Sequence, residues 1–181
     1  MKILGVDPGT RFVGAGLITA AGSQCKLHHF EIIHIRSKLS IAARLLKIHQ
    51  ALSAVIREFR PGVMALENIF FGQNVSTLVK IGESRACAML AAAENGIEVV
   101  EYPPARVKEA VSGNGRASKE QIQWMIQKLL AMDSPPPADG ADALAVAICH
   151  WHCSERMDRR FKRKKTRTWE LVLATQGTRQ A

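Results

Sequence analysis

No apolar run in this chain approaches the ~18–20 residues that a bilayer-crossing helix requires. The first apolar stretch is cut short by Asp7, Pro8 and Gly9, so it does not read as a signal peptide. Neither a membrane partner nor export is expected. Cysteine is sparse: Cys25, Cys87, Cys149 and Cys153 form no Cys-x-x-Cys pair and no disulfide-framework spacing, which points to a reducing cytoplasm. Internal repeats are absent. Acids are the minority, with 16 Asp and Glu against 25 Lys and Arg and a net charge of +9. That balance favours a polyanionic partner. Acidic membranes would satisfy the charge equally well, but no amphipathic anchor accompanies it.

What is present suits a soluble α/β domain. At 47% hydrophobic, 181 residues can bury a sizeable core and wholesale disorder is excluded. The basic excess is concentrated late: from Ser154 onward there are nine Lys or Arg and three Asp or Glu. Phe161 to Arg167 alone carries five cations and no apolar period. The division expected is a folded domain over 1–153 and a flexible basic tail over 154–181.

Residues 2–7 read as a strand buried on both faces, 13–18 as a second, and 25–35 as a third in which Leu27, His29, Glu31 and Ile33 share one parity. Ser40 can cap a helix to about Phe59, and Val63 to Leu66 forms a further strand. Asn74 can cap a long helix ending near Asn95-Gly96. A strand over 97–102 follows, then a short helix around 105–111. Ser118-Lys119-Glu120-Gln121 is a capping box opening a helix to about Met132. Ser134-Pro135-Pro136-Pro137 leads into a last helix over roughly 139–153. Strands first, then alternating helices and strands, predict a mixed central sheet flanked by helices.

Four carboxylates stand out against the basic background. Asp7 ends the first strand, Glu67 ends the strand after the first helix, and Asp139 and Asp142 share a face of the last helix. Gathered at one end of a sheet they would repel one another unless a cation sat among them. Oxygen-loving divalent metals are the usual solution, and two of them can cut a phosphodiester. In a basic protein this combination points to a nuclease.

The motifs carrying these acids occur in order: Asp7-Pro8-Gly9-Thr10, Ala65-Leu66-Glu67 with Phe70 nearby, Gly113-Asn114-Gly115-Arg116-Ala117-Ser118-Lys119, and Ala138-Asp139-Gly140-Ala141-Asp142-Ala143-Leu144-Ala145. Over residues 1–153 the chain resembles the RuvC family, the bacterial Holliday junction resolvases with an RNase H-like fold. The resemblance implies that Asp7, Glu67, Asp139 and Asp142 are catalytic and bind Mg²⁺, two ions per site, with Mn²⁺ an expected substitute. It also implies a homodimer that resolves four-way DNA junctions by paired symmetric nicks, leaving 5′-phosphate and 3′-hydroxyl ends. That activity belongs to homologous recombination and DNA repair, beside a RuvA–RuvB branch-migration complex. Phosphate contacts are implied for Lys108 and Lys119. Gly140 departs from the pattern, sitting where a helix former is usual and costing up to ~1 kcal/mol relative to Ala.

The residues themselves add DNA-binding candidates. Adjacent Phe70 and Phe71 cannot both enter one core, and an exposed ring could stack on an unpaired base. Arg116 lies in the glycine loop whose N–H groups could receive a phosphate. Lys80 and Arg85 are weaker candidates on the helix after Glu67. The apolar face bearing Leu78, Ile81, Met89 and Leu90 is the candidate dimer interface. Cys149-His150-Trp151-His152-Cys153 invites a zinc site, yet four ligands cannot converge from one helical turn. A two-lobed ATPase is too large for 181 residues, and a purely DNA-binding module would not need all four acids.

Overall fold

A computed structural model describes residues 1–9, 11–36, 38–68 and 75–154 of the chain. Phe70 and Phe71, the Asn74 cap and nearly all of the basic tail lie outside the described residues. Strands β1 (Lys2–Pro8), β2 (Phe12–Ala21) and β3 (Gln24–His34) precede helix α1 (Ile41–Phe59). Then come β4 (Val63–Glu67), α2 (Val75–Glu94), β5 (Glu98–Tyr102), α3 (Pro104–Ser112), α4 (Lys119–Leu129) and α5 (138–154). Among the described residues the strands form one sheet in the order β3-β2-β1-β4-β5. The first three are antiparallel, and β4 and β5 run parallel to β1.

The helix starts obey the capping logic of the sequence. Ser40 Oγ accepts a hydrogen bond from the Ala43 N–H at 3.3 Å, and Arg60, in the left-handed conformation, ends α1 through an N–H donated to Ile56 O. Ser118 and Gln121 close the capping box that opens α4, with bonds of 3.3 and 2.9 Å.

Alternation of side chains sorts the sheet residues between two cores. Leu4, Val6, Val13, Leu17, Met64 and Leu66 pack against α1 and α2. Ile3, Ile18, Val63 and Ala65 face α3, α4 and α5. In β3 the expected single parity fails. Leu17 pairs with His29 but Ile18 pairs with Leu27, so His28 is an extra residue in the ladder. A β-bulge of this kind inverts the facing of everything beyond it. Leu27 therefore joins the α5 side and Ile33 the α1 side, although the sequence places them on one parity.

Helix α5 lies unusually close to the sheet, and glycines permit it. A Cβ on Gly5 would sit 2.0 Å from Ala143 O, and one on Gly14 would sit 2.1 Å from Asp139 O. Gly5 pairs with Gly16, and Gly14 pairs with Asp7, so the cleared track runs to the carboxylate. The facing residues on α5 are small too, Ala143 and Ala147. The far end of α5 is pinned by Trp151 Nε1 donating to Gly22 O at 3.1 Å. Gly140 is explained by the same closeness: an added Cβ would press on the Phe30 ring at 3.1 Å.

Replacing Gly5 with Ala should therefore push α5 off the sheet. The expected loss is about 1–3 kcal/mol, the range for overpacking a full core. Thermal unfolding of the full chain checks it; a Tm equal to the parent's would mean that the contact is looser than described.

Candidate active site

Strand parity and register decide which acids meet. Val6 pairs with Leu66 and both face α1 and α2, so Asp7 and Glu67, one residue further on, leave the sheet side by side toward α5. The α5 helix begins at 138, with Ala141 N–H donating to Pro137 O at 2.8 Å. Asp139 thus lies in its first turn, where a negative charge complements the helix dipole. Asp142 is one turn along on the same side.

The electrostatics show that all four acids share one field. Burial raises the Asp7 carboxyl to about 7, and the charges of Asp142, Glu67 and Asp139 add to the shift. Burial also raises Glu67 to about 7, reinforced by Asp142. Asp142 is raised, first by burial and then by Asp139, against the opposing pull of Lys119 and Lys108. Lys119 Nζ stands 3.8 Å from Asp142 Oδ2, while its side chain stays largely in solvent. Two of the sequence candidates for phosphate contact, Lys108 and Lys119, are thereby brought to the acids. Arg116 is exposed on the turn before α4, its backbone N–H held by Asn114 Oδ1 at 3.0 Å. Phe70 lies outside the described residues.

Arg85 has a different place from the one its sequence position suggested. Its guanidinium points inward, donating to the Glu67 carbonyl at 2.8 Å and to Asn68 Oδ1 at 3.4 Å while pairing with Glu101. With 13% of its side chain exposed, it is a strut beneath the end of β4 rather than an open DNA contact. Only the β4–β5 pairing, which sets Glu101 opposite Leu66, brings its partners together, so helical periodicity gave no sign of it. The histidines near the C-terminus of α5 are engaged by different elements. His150 Nδ1 meets Tyr102 Oη at 2.8 Å, and His152 Nδ1 lies 2.8 Å from Ala110 O.

No three His, Cys, Asp or Glu side chains among the described residues converge tightly enough to hold an ion as they stand. The acids are linked by charge, not by a preassembled cage. The donor set nonetheless suits a hard divalent cation. It is all carboxylate oxygen, with the other three acids raising Asp7, Asp142 raising Glu67 and Asp139 raising Asp142. A cation among them would reverse those shifts.

The family profile described as "Crossover junction endodeoxyribonuclease RuvC" matches residues 3–150. The chain belongs to the RuvC family. A relative from Desulforamulus reducens, named crossover junction endodeoxyribonuclease RuvC, is 42% identical over 163 residues, 90% of this chain and all of that protein. The Thermus thermophilus RuvC structure superposes with a TM-score of 0.80 at 32% identity, covering 87% of this chain and 97% of that one. The same Thermus protein in complex with a Holliday junction substrate gives 0.83, covering 86% and 96%. The fold is accordingly RNase H-like, and the activity is that of a crossover junction endodeoxyribonuclease acting on Holliday junctions.

The raised carboxyls carry a stability prediction for the metal-free protein. Unfolded, Asp7 and Glu67 ionise near pH 4; folded, only near 7. Folding is therefore penalised increasingly as pH rises from about 4 to 7, and fully above 7. Asp7→Asn should melt higher than the parent at pH 8 in EDTA, with the advantage shrinking toward pH 4. Adding Mg²⁺ at pH 8 should raise the parent's Tm more than the variant's. Equal pH profiles for the two proteins would remove Asp7 from the repulsive cluster.

Proposed function

We propose that Asp7, Glu67, Asp139 and Asp142 form the catalytic centre of this resolvase and hold two Mg²⁺ ions. The observation that carries the reading is the coupling of Asp7 to all three other acids at one end of the sheet. The chemistry such ions supply when bound is activation of water and stabilisation of charge on the leaving 3′ oxygen. The protein's own part is to hold the ligands. Asp7, on the central strand between β2 and β4, would be a ligand to the ions at the centre of the cluster. Asp139 and Asp142 approach from the helix, and Glu67 is steadied through its backbone by Arg85. Lys108 and Lys119 draw the scissile phosphate toward the acids and offset part of their repulsion. Arg116 and Phe70 remain candidate contacts to the DNA beyond that phosphate. The tail after residue 153 would add affinity without choosing the junction.

The products would be symmetric nicks with 5′-phosphate and 3′-hydroxyl ends, made in the cytoplasm during recombination and repair beside RuvA–RuvB. No helix among the described residues is long and apolar enough to cross a membrane. A two-fold junction calls for a two-fold enzyme, so that each centre meets an equivalent phosphate. Support for a homodimer comes from α2, where Val75, Val79, Met89 and Leu90 are exposed. Val75, Val79, Gly82, Ala86, Met89 and Ala93 recur in alternating steps of four and three residues, the pattern of a helix-pairing seam. Of the four sequence candidates for this surface, Met89 and Leu90 are exposed, whereas Leu78 and Ile81 are half-buried.

Asp7→Asn and Glu67→Gln should each slow junction cutting by roughly 100-fold or more, the scale of removing a charge-stabilising group from a site. Junction binding should persist in both. Lys119→Ala should lose about 10-fold, as for a charge-assisted hydrogen bond. Ca²⁺ in place of Mg²⁺ should allow binding without turnover. Timed cleavage of a synthetic four-way junction, with a gel-shift control, measures all of these. A Glu67→Gln protein cutting at the parent rate would strike Glu67 from the centre. For the dimer, Val79→Asp with Leu90→Asp should halve the mass seen by analytical ultracentrifugation. An unchanged mass would place the interface elsewhere.

A further inference from the structure

The cations already described reach the acids from α3 and α4, which follow β5 at one edge of the sheet. A second basic feature lies on the opposite side of Asp7. At the open end of the β2–β3 ribbon, Arg11, Phe12, His34, Ile35 and Arg36 line a cleft of about 330 Å³.

We propose that this cleft holds the sugar–phosphate backbone of a DNA arm as it leaves the active site. The inference rests on the junction-cutting reading and extends its contact surface across β2 and β3.

Register places the cleft beside the acids. Asp7 pairs with Gly14 on β2, and Phe12, two residues on, pairs with His34 on β3. With about 4.8 Å between neighbouring strands, the cleft begins roughly 10 Å from Asp7. The facing agrees as well. Val13 and Ile33 belong to the core under α1 and α2, so Phe12 and His34 emerge on the opposite face, the one that carries Asp7. A backbone crossing the acids would meet Lys108 and Lys119 on one side and this cleft on the other.

Its chemistry fits a phosphodiester strand. Arg11 and Arg36 are exposed, and among the described residues neither guanidinium has a carboxylate partner within ion-pair distance. A backbone bond from Ile35 N–H to Arg11 O at 2.8 Å ties the two segments together, and Arg11 and Arg36 both line the cleft. Lys47, on α1, donates through Nζ to His34 O at 2.6 Å and so anchors the end of β3 that forms one wall of the cleft. Cations gathered without acids repel one another unless a polyanion lies between them, and the arginine fork matches phosphate oxygens. Phe12, 39% exposed, packs edge-on to the His34 ring at 4.9 Å and offers an apolar wall for deoxyribose. Ile35 is buried beneath and fixes the floor.

The test titrates the full-length protein without divalent ions against a labelled four-way junction at several salt concentrations. Arg11→Gln and Arg36→Gln should each flatten the log–log salt slope by about 0.9. The double variant should flatten it by about 1.8 and weaken binding ~10-fold or more near 0.1 M salt. Arg11→Lys and Arg36→Lys keep the charge and should keep the slope. Arg57→Gln, on the exposed last turn of α1 at the opposite end of the sheet, should change neither slope nor affinity. Melting curves should stay superimposable, since the side chains are exposed. A double variant with the parent's slope overturns the proposal, and so does an equal loss in Arg57→Gln. Cleavage by the parent protein with Mg²⁺ is run alongside. Failure there would defeat the junction-cutting reading, whereas a cutting parent with an unaltered variant slope defeats the cleft alone.

Discussion

Repulsion among carboxylates at one end of the sheet is the constraint around which this molecule is built. Burial drives both Asp7 and Glu67 toward neutrality, and the charge of Asp142 adds to each shift. Left to itself such a cluster would relax by spreading apart. The surrounding structure prevents that by mechanical means. β1 and β4 are hydrogen-bonded neighbours in the middle of the sheet, so two of the acids cannot separate without breaking the ladder. The other two ride on α5, which is locked to the sheet along its length.

That lock depends on what is missing as much as on what is present. Side chains removed at Gly5, Gly14 and Gly16 let the backbone of α5 approach to distances that no Cβ would tolerate. The alanines on the facing helix complete the fit, and the indole of Trp151 secures the far end. Large hydrophobic residues carry the remainder of both cores. Close packing next to the acids thus transmits position, while ordinary packing further away supplies stability.

Charge compensation comes from residues that take no part in the sheet. Lys108 and Lys119 reach in from two short helices and pull against the raised carboxyls without neutralising them. Arg85 works from the other side of the sheet, where it holds the backbone of Glu67 rather than its carboxylate. A half-buried arginine paired with Glu101 keeps the strand end in place through the Glu67 backbone. The division between cations that face the site and one that braces it follows from strand parity.

Much of this was legible in the sequence. The mixed α/β order, the Ser40 and Ser118 caps and the four acids at element ends all follow from local chemistry, because caps, turns and apolar periods are written in consecutive residues. The RuvC resemblance rested on the same short motifs. What the sequence could not supply were the contacts between elements far apart in the chain. The bulge at His28 exchanged the faces of Leu27 and Ile33, since register is a property of two paired strands and not of one. Arg85 turned from a DNA candidate into a brace because its partners come from β4 and β5. Gly140, a weak helix former on local grounds, sits against the ring of Phe30, 110 positions earlier, where an added Cβ would be crowded at 3.1 Å. Local propensity therefore determined the elements and the identity of the acids. Only the tertiary packing decided which acids meet, how closely α5 approaches them, and which cations share their field.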